Sequence, residues 1–315
     1  MKKILMFLWC GLLFIGCFDD ETIHADYVAY GRAYDTTSTD PVVKFISQYY
    51  YKYNKVIILD PLPGDYMFNF QSKHDVNMVQ PPQDQESLLK RLKFLEEMFL
   101  KGYSDDVKND MFPNIIILAD FIKNLNTGEE VDIYTTTYYI AFLVNDEMLN
   151  KSEQEKEEQS RNWNKTFLDY CTKKIDWTVP EEFYLYPTDA EFNKNENWWI
   201  PIPGATELEP ADINIVWERG YPTGKWDWNF KKDAEGNFVK DETGTMLKEY
   251  GYAVSSSKEG YLSKFFEFLF TTPQETIDKA IADHEKLRKA HDVLDKALKD
   301  DFGIDYRTMM YKAKE

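Results

Sequence analysis

Histidine and cysteine are scarce in this chain: four and three among 315 residues. Three cysteines exclude a disulfide-stapled scaffold, which needs several pairs. The histidines are His24, His74, His284 and His291, so the whole middle of the chain lacks the commonest metal ligand and proton shuttle. Positive charge is also in deficit. Against 55 Asp+Glu stand 37 Lys+Arg, a formal net charge of -18. Nucleic acid is therefore not an expected partner, because so acidic a surface repels a polyanion. A G-x-S-x-G elbow, a P-loop and the glycine pattern of dinucleotide sites are all missing. Beyond the first residues no apolar run is long enough to span a bilayer. What the chain does have is aromatic: 21 Tyr, 21 Phe and 8 Trp exclude a disordered polymer. The length allows one large domain or two ordinary ones.

The N-terminus reads as an export signal. Lys2 and Lys3 precede an apolar run from Ile4 to Ile15, too short for a mature anchor. Phe14-Ile15-Gly16-Cys17 resembles the lipobox of bacterial lipoproteins, in which cleavage before the cysteine leaves it first and acylated. Cys10 is excluded because Trp9 is too bulky for the preceding position. Residues 1–16 are thus expected to be a signal peptide and Cys17 a lipid anchor to the membrane, each buried methylene contributing about 0.8 kcal/mol. Phe18-Asp19-Asp20-Glu21 resembles the surface-export signal of Bacteroidota lipoproteins. The expected address is the outer membrane, on the cell surface, with its periplasmic face as the alternative. Residues 17–38 form an acidic tether.

Residues 39–150 read as an N-terminal α/β part. Asp40-Pro41 starts a helix with Asp as N-cap and Pro in the first turn. Lys55 to Asp60, Asn114 to Leu118 and Tyr139 to Val144 read as strands, and residues 85–102 as an amphipathic helix. The order implies a mixed sheet with packed helices. Residues 151–315, expected to share one compact domain with 39–150, begin with a charged helix over 151–174, with Ser152 as its cap. A loop-rich stretch follows, carrying Trp177, Trp198, Trp199, Trp217, Trp226 and Trp228, with an exposed turn at Lys231 to Phe238. An apolar helix is expected over 259–270. Thr272-Pro273-Gln274-Glu275 reads as a capping box. The stripe Ile277, Ile281, His284, Leu287, His291, Leu294, Leu298 reads as one last helix ended by Gly303. No internal repeat stands out.

Few residues suggest chemistry. His284 and His291 are about 10 Å apart along a helix axis, too far to share one metal ion. His284-Glu285-Lys286-Leu287-Arg288 begins like a zinc helix but has Arg288 at the second ligand position. Both histidines read as packing at the edge of a helix face. Cys171 reads as a small buried hydrophobe. Trp198, Trp199, Trp226 and Trp228 are candidates for stacking on sugar rings or peptide side chains, against the plainer role of anchoring loops.

Several segments, in order, resemble a known family. They are the lipobox, Asp35-Thr-Thr, the helix through Phe45 and the tyrosines from Tyr49 to Tyr53, and the strand at Lys55. The helix at 85–102 and the strand ending Leu143-Val144-Asn145-Asp146 follow. Last come Gly251 to Glu259, the apolar helix, the helix from Thr272, and Asp300-Asp-Phe-Gly-Ile-Asp305. The layout is similar to the substrate-import-associated zinc metallohydrolase lipoproteins of Bacteroidota. The resemblance implies an α/β (α+β) fold: a zincin-like metallopeptidase scaffold with a mixed sheet and a C-terminal helical part. In such proteins an H-E-x-x-H zinc helix follows the Asn-Asp strand. The corresponding stretch, Asn164 to Lys174, places Lys165 and Asp169 at the two histidine positions and Thr166 at the glutamate. The family's downstream acidic run falls on Glu259-Gly-Tyr-Leu-Ser263, keeping Glu259 and replacing the later acid by Ser263.

A catalytic zinc needs three protein ligands, a bound water and a base beside it. A lysine in a ligand position sets a cation against a dication. The zinc implied by the family is therefore expected to be lost, leaving no metal, cofactor or catalytic residues. The expected function is that of a non-catalytic pseudo-metallopeptidase in nutrient uptake, binding a peptide, a glycan or an outer-membrane importer. Two alternatives stay open: an active hydrolase, metallopeptidase-like or carboxylate-based, and a structural subunit of an uptake complex.

Overall fold

Asp40 fixes where the first helix begins. Its carboxylate accepts from the amides of Val42 and Val43 at 2.8 and 3.3 Å, and α1 runs Pro41–Tyr53 until Asn54 adopts the left-handed conformation. The computed structural model describes residues 34–66, 75–174, 177–187, 199–205, 212–307 and 311. The expected signal peptide, Cys17, most of the tether, His24, His74 and Trp198 lie outside them. The last tether residues rest on α1, where Tyr34 stacks on Tyr50 with ring centroids 4.2 Å apart.

After α1 come β1 (Val56–Ile58), a short α2 (Pro63–Tyr66), β2 (Val76–Val79), α3 (Gln85–Met98), α4 (Asp105–Asp110), β3 (Ile115–Ala119), β4 (Phe121–Asn124), β5 (Ile133–Thr135) and β6 (Tyr139–Leu143). The main sheet has the order β1-β3-β6-β5. Its first three strands are parallel and β5 is antiparallel to β6. The chain is α/β with the mixed sheet and packed helices that its segment order implies. Alternation divides the strands between two apolar layers. Ile116, Leu118, Ile140 and Phe142 face the helices, whereas Ile117, Ala119, Tyr139 and Ala141 pack with the antiparallel pair β2/β4. Burial on both faces is why β3 is an unbroken apolar run. The helix expected over 85–102 is shorter: it stops at Phe99, and Leu100–Gly102 continue as a 3-10 turn.

Arg91 ties α3 to the carboxyl ends of β3 and β6. Its guanidinium is buried, donates to the Val144 carbonyl at 2.9 Å, and meets Asp120 at 3.2 Å and Asp146 at 2.8 Å. α/β sheets commonly hold ligands at this end; here a protein side chain occupies it.

α5 (Asp146–Leu149) leads to α6 (Glu153–Lys174). Ser152 caps α6 as expected, in a reciprocal box with Glu155: the Ser152 amide donates to the carboxylate at 2.8 Å and the Glu155 amide to the hydroxyl at 3.3 Å. Beyond it, β7 (Trp199–Pro201), α7 (Asn214–Glu218), β8 (Lys225–Phe230) and β9 (Lys248–Ala253) build an antiparallel sheet of order β7-β9-β8. Gly251 permits this pairing, since a Cβ there would lie 2.1 Å from the Ile200 carbonyl oxygen.

Between β8 and β9 the expected exposed turn proves to be two, and they repeat. Lys232-Asp-Ala-Glu-Gly-Asn-Phe-Val239 and Lys240-Asp-Glu-Thr-Gly-Thr-Met-Leu247 share an eight-residue pattern, correcting the reading that no repeat is present. Lys231, Val239 and Leu247, spaced by that period, close a ring of backbone hydrogen bonds: Val239 donates to Lys231, Leu247 to Val239 and Lys231 to Leu247, each at 2.9 Å.

The C-terminal part is helical: α8 (Lys258–Thr271), α9 (Gln274–Asp283) and α10 (Glu285–Phe302). Two expectations fail here. Thr272 does not form a capping box; it closes α8, and the Thr276 and Ile277 amides of α9 turn to the Pro273 carbonyl. The single last helix is broken at His284, whose backbone is extended. The break lets both halves bury their stripes, Ile277 and Ala280 on one and Leu287, Leu294 and Leu298 on the other. Gly303 ends α10 in the left-handed conformation.

Candidate functional site

α6 carries the positions that the family resemblance singles out. Its inner side is fixed by Trp163, Phe167, Leu168 and Cys171, all fully buried. A buried polar chain orients the same side: Tyr103 donates to Asn164 at 2.6 Å, Asn164 donates to the Ser160 carbonyl at 2.7 Å, and Ser160 donates to the Met98 carbonyl at 2.7 Å. Lys165, Thr166 and Asp169 are half-buried beside it. The Lys165 ammonium is 3.0 Å from the Asp169 carboxylate. The other Asp169 oxygen is buried with no hydrogen-bond partner among the described residues.

Glu259 does not join them. It is exposed in the first turn of α8 and lies 3.8 Å from Lys173, which is about 12 Å further along α6 than Lys165. Ser263, one turn later, is half-buried. The structure thus forms two separate ion pairs where the resemblance would place one ligand set. Among the described residues no group of three or more His, Cys, Asp or Glu is placed to hold a metal ion. The donor set does not fit a catalytic zinc either: one carboxylate already neutralised by an ammonium leaves neither three ligands nor a base.

The three described tryptophan candidates do not make one platform. Trp226 and Trp228 alternate onto one face of the β7-β9-β8 sheet, opposite Tyr252 and Tyr250. Trp199 pairs with Ala253 and therefore points to the other face, where its indole N–H donates to Glu249 at 3.1 Å. Trp226 is half-buried, edge-on to the buried Tyr252 at 5.0 Å. Trp228 is the accessible one, and the Lys248 ammonium sits 4.1 Å from its ring centre.

The two described histidines serve packing, in places the sequence misassigns. His284 lies at the α9–α10 break, 3.2 Å from the Asn214 side chain and 5.9 Å from the Trp217 ring. His291 is not at an edge but buried, with its ring nitrogens 3.0 Å from Tyr306 and 3.0 Å from Asp292. Cys171 is a buried free thiol whose ionisation burial pushes far up.

A cavity that the sequence reading passed over lies beside α1. It is an open cleft of about 790 Å³, lined from α1 by Phe45, Tyr49, Lys52 and Tyr53, from α3 by Glu96, from the 3-10 turn by Lys101 and from α4 by Lys108. Asp105 organises one side of it. Its carboxylate takes the Tyr53 hydroxyl at 2.6 Å and the Lys52 ammonium at 2.7 Å. That hydrogen bond raises the Lys52 pKa, and the Asp105 pKa falls in return. Burial lowers the Lys108 pKa, against the pull of Asp105. The available signal was the tyrosine run Tyr49-Tyr50-Tyr51-Lys52-Tyr53, interrupted by one lysine and unusual for a helix that must also bury Val42 and Ile46.

No family model matches the chain, and no curated protein matches it. Among solved structures, the chain is similar to one described as "a putative zinc-binding metallo-peptidase from Bacteroides caccae". The two share 11% sequence identity at a TM-score of 0.45, over 84% of this chain and 86% of that one. So distant a likeness leaves the chemistry to be read from this chain's own residues.

Proposed function

We propose that the chain is a cell-envelope lipoprotein, held at the outer membrane through Cys17, which binds a peptide or glycan beside a nutrient importer without catalysing zinc chemistry. The observation that carries the non-catalytic part is the Lys165–Asp169 ion pair at 3.0 Å. It sits at the two positions where the resembled family has zinc-binding histidines, and it satisfies a carboxylate with an ammonium instead of a metal. The anchoring part rests on Ile15-Gly16-Cys17 after an apolar run, and the binding part on accessible aromatic surface such as Trp228.

Two measurements test the reading. Purified full-length protein is expected to hold well under one zinc per chain by elemental analysis and to show no chelator-sensitive peptidase activity. One tightly held zinc with hydrolysis abolished by chelation overturns it. In cells, radiolabelled palmitate is expected to label the wild type and not Cys17→Ala; equal labelling of both removes the anchor.

A further inference from the structure

Lys108 is the outlier of the α1 cavity. Its side chain is only 8% exposed, yet it lines the cavity. Among the described residues its ammonium has no hydrogen-bond acceptor and no ion-pair partner; its contact is the Tyr53 ring, 5.4 Å from nitrogen to ring centre. Lysine is seldom buried to this extent; here the stem is covered and the ammonium opens on the cavity, within reach of an anionic ligand. Asp105 attracts it from beyond ion-pair distance while pairing with Lys52 and the Tyr53 hydroxyl.

The remaining charges indicate what is missing. Lys101 brings a second ammonium to the lining and Glu96 one carboxylate. With Lys52 and Asp105 neutralising each other, the cavity retains one net positive charge, inside a chain of formal net charge -18. That balance suits a single carboxylate better than a phosphate dianion. The walls describe the rest of the ligand. Phe45 stacks on the buried Tyr49, 15° between ring planes and 5.3 Å between centroids, which holds the half-buried Phe45 ring as an apolar wall. Gln48 and Thr36 add polar groups to the lining. A peptide is less suited, since it commonly docks by adding a strand to a free sheet edge. Here the walls are helices, whose backbone groups are already paired. The volume falls within the roughly 300–1,000 Å³ of small-molecule sites.

We propose that this cavity binds a carboxylate-bearing sugar, a hexuronate unit of an acidic glycan. The carboxylate pairs with Lys108 and Lys101, the ring lies against Phe45, and hydroxyls reach Gln48. The inference rests on reading the chain as a binding protein but not on the fate of the zinc helix, so zinc content and sugar binding report separately.

The experiment is calorimetric titration of the full chain with trigalacturonate, with neutral galactotriose, and with an acetylated tripeptide free acid. Saturable binding of trigalacturonate is expected, at least tenfold tighter than either other probe and weakened by salt. Lys108→Met is expected to lose about tenfold or more in affinity. Lys101→Gln loses less, Glu96→Gln binds tighter, and Lys240→Met, on the distant turns, is unchanged. If Lys108→Met does not fold by circular dichroism, the Lys101 and Glu96 variants decide, since opposite shifts are required of them. Absent trigalacturonate binding, equal binding of the neutral sugar, preference for the peptide, or undiminished affinity in folded Lys108→Met each overturns the proposal.

Discussion

The Lys165 ammonium and the Asp169 carboxylate face each other across one turn of α6, 3.0 Å apart, with side-chain exposures of 23% and 17%. A pair this sheltered is screened less than a surface pair, whose median value is about 0–1 kcal/mol. A double-mutant cycle of Lys165→Met and Asp169→Asn, read by urea unfolding, is expected to give a coupling of about 1 kcal/mol. Coupling indistinguishable from zero would show that the pair does not hold the helix surface together. Because the pair and not a metal satisfies these positions in the proposed reading, a chelator is expected to leave the unfolding midpoint unchanged.

Arg91 gives a larger effect than its two ion pairs suggest. Asp146 is 78% exposed and Asp120 36%, so water can replace the guanidinium at both. The Val144 carbonyl is buried and cannot be compensated in the same way. Arg91→Met is therefore expected to lower stability by about 2–3 kcal/mol, most of it from the stranded carbonyl, whereas Asp146→Asn costs about 1 kcal/mol or less. Denaturant midpoints for the two variants check the ordering; equal losses would put the weight on charge.

The contrast between these sites explains what the sequence showed and what it hid. The strands and α1 were legible because burial imposes apolar runs and Asp40-Pro41 is local cap chemistry. The break at His284 was not, because the stripe from Ile277 to Leu298 keeps helical spacing on either side of it, and only packing decides that two helices bury it better than one. Trp199 and Trp226 looked like members of one aromatic set, yet strand alternation sends them to opposite faces. The α1 cavity was hidden for a different reason. Lys108 is more than fifty residues from Tyr53, and no periodicity reports a meeting between α1 and α4. The eight-residue repeat was visible, but its two copies share only a lysine, an aspartate and a glycine at matching places.

Cys171 offers a direct probe of the interior. The thiol is fully buried in α6 and burial pushes its pKa far above the ordinary range, so the reactive thiolate is suppressed at neutral pH. Native protein is expected to leave Cys171 unmodified by a disulfide reagent over hours and to react at once in denaturant. A background with Cys10→Ser and Cys17→Ser leaves Cys171 as the one thiol of the chain. Fast modification under native conditions would mean that α6 opens locally.

The repeated turns between β8 and β9 carry a pH dependence of known sign. The Asp233 carboxylate accepts from the Asn237 amide at 2.8 Å and the Glu235 amide at 3.1 Å. The Asp241 carboxylate accepts from the Thr243 hydroxyl at 2.6 Å and from the Thr243 and Thr245 amides at 2.8 and 2.9 Å. These bonds favour the charged form and hold both pKa values below 3.8, led by the Asn237 amide for Asp233 and the Thr243 hydroxyl for Asp241. A carboxyl depressed in the folded state gives stabilisation that is complete above its unfolded value and is lost as pH falls through the folded one. The turns are therefore expected to stay closed at pH 5 and to loosen only below pH 3.8. In a titration followed by NMR, the Asn237 and Thr245 amides should shift together in that range. Asp233→Asn should remove the Asn237 titration and leave that of Thr245, because each carboxylate serves its own turn. Gly236 and Gly244, at φ 85° and 86°, are the matching backbone test. Alanine at either is expected to cost about 1 kcal/mol in the closure of its own turn and to speed amide exchange at both, since Lys231, Val239 and Leu247 link the two copies in one hydrogen-bonded ring. Exchange confined to the mutated turn would show that the copies close independently.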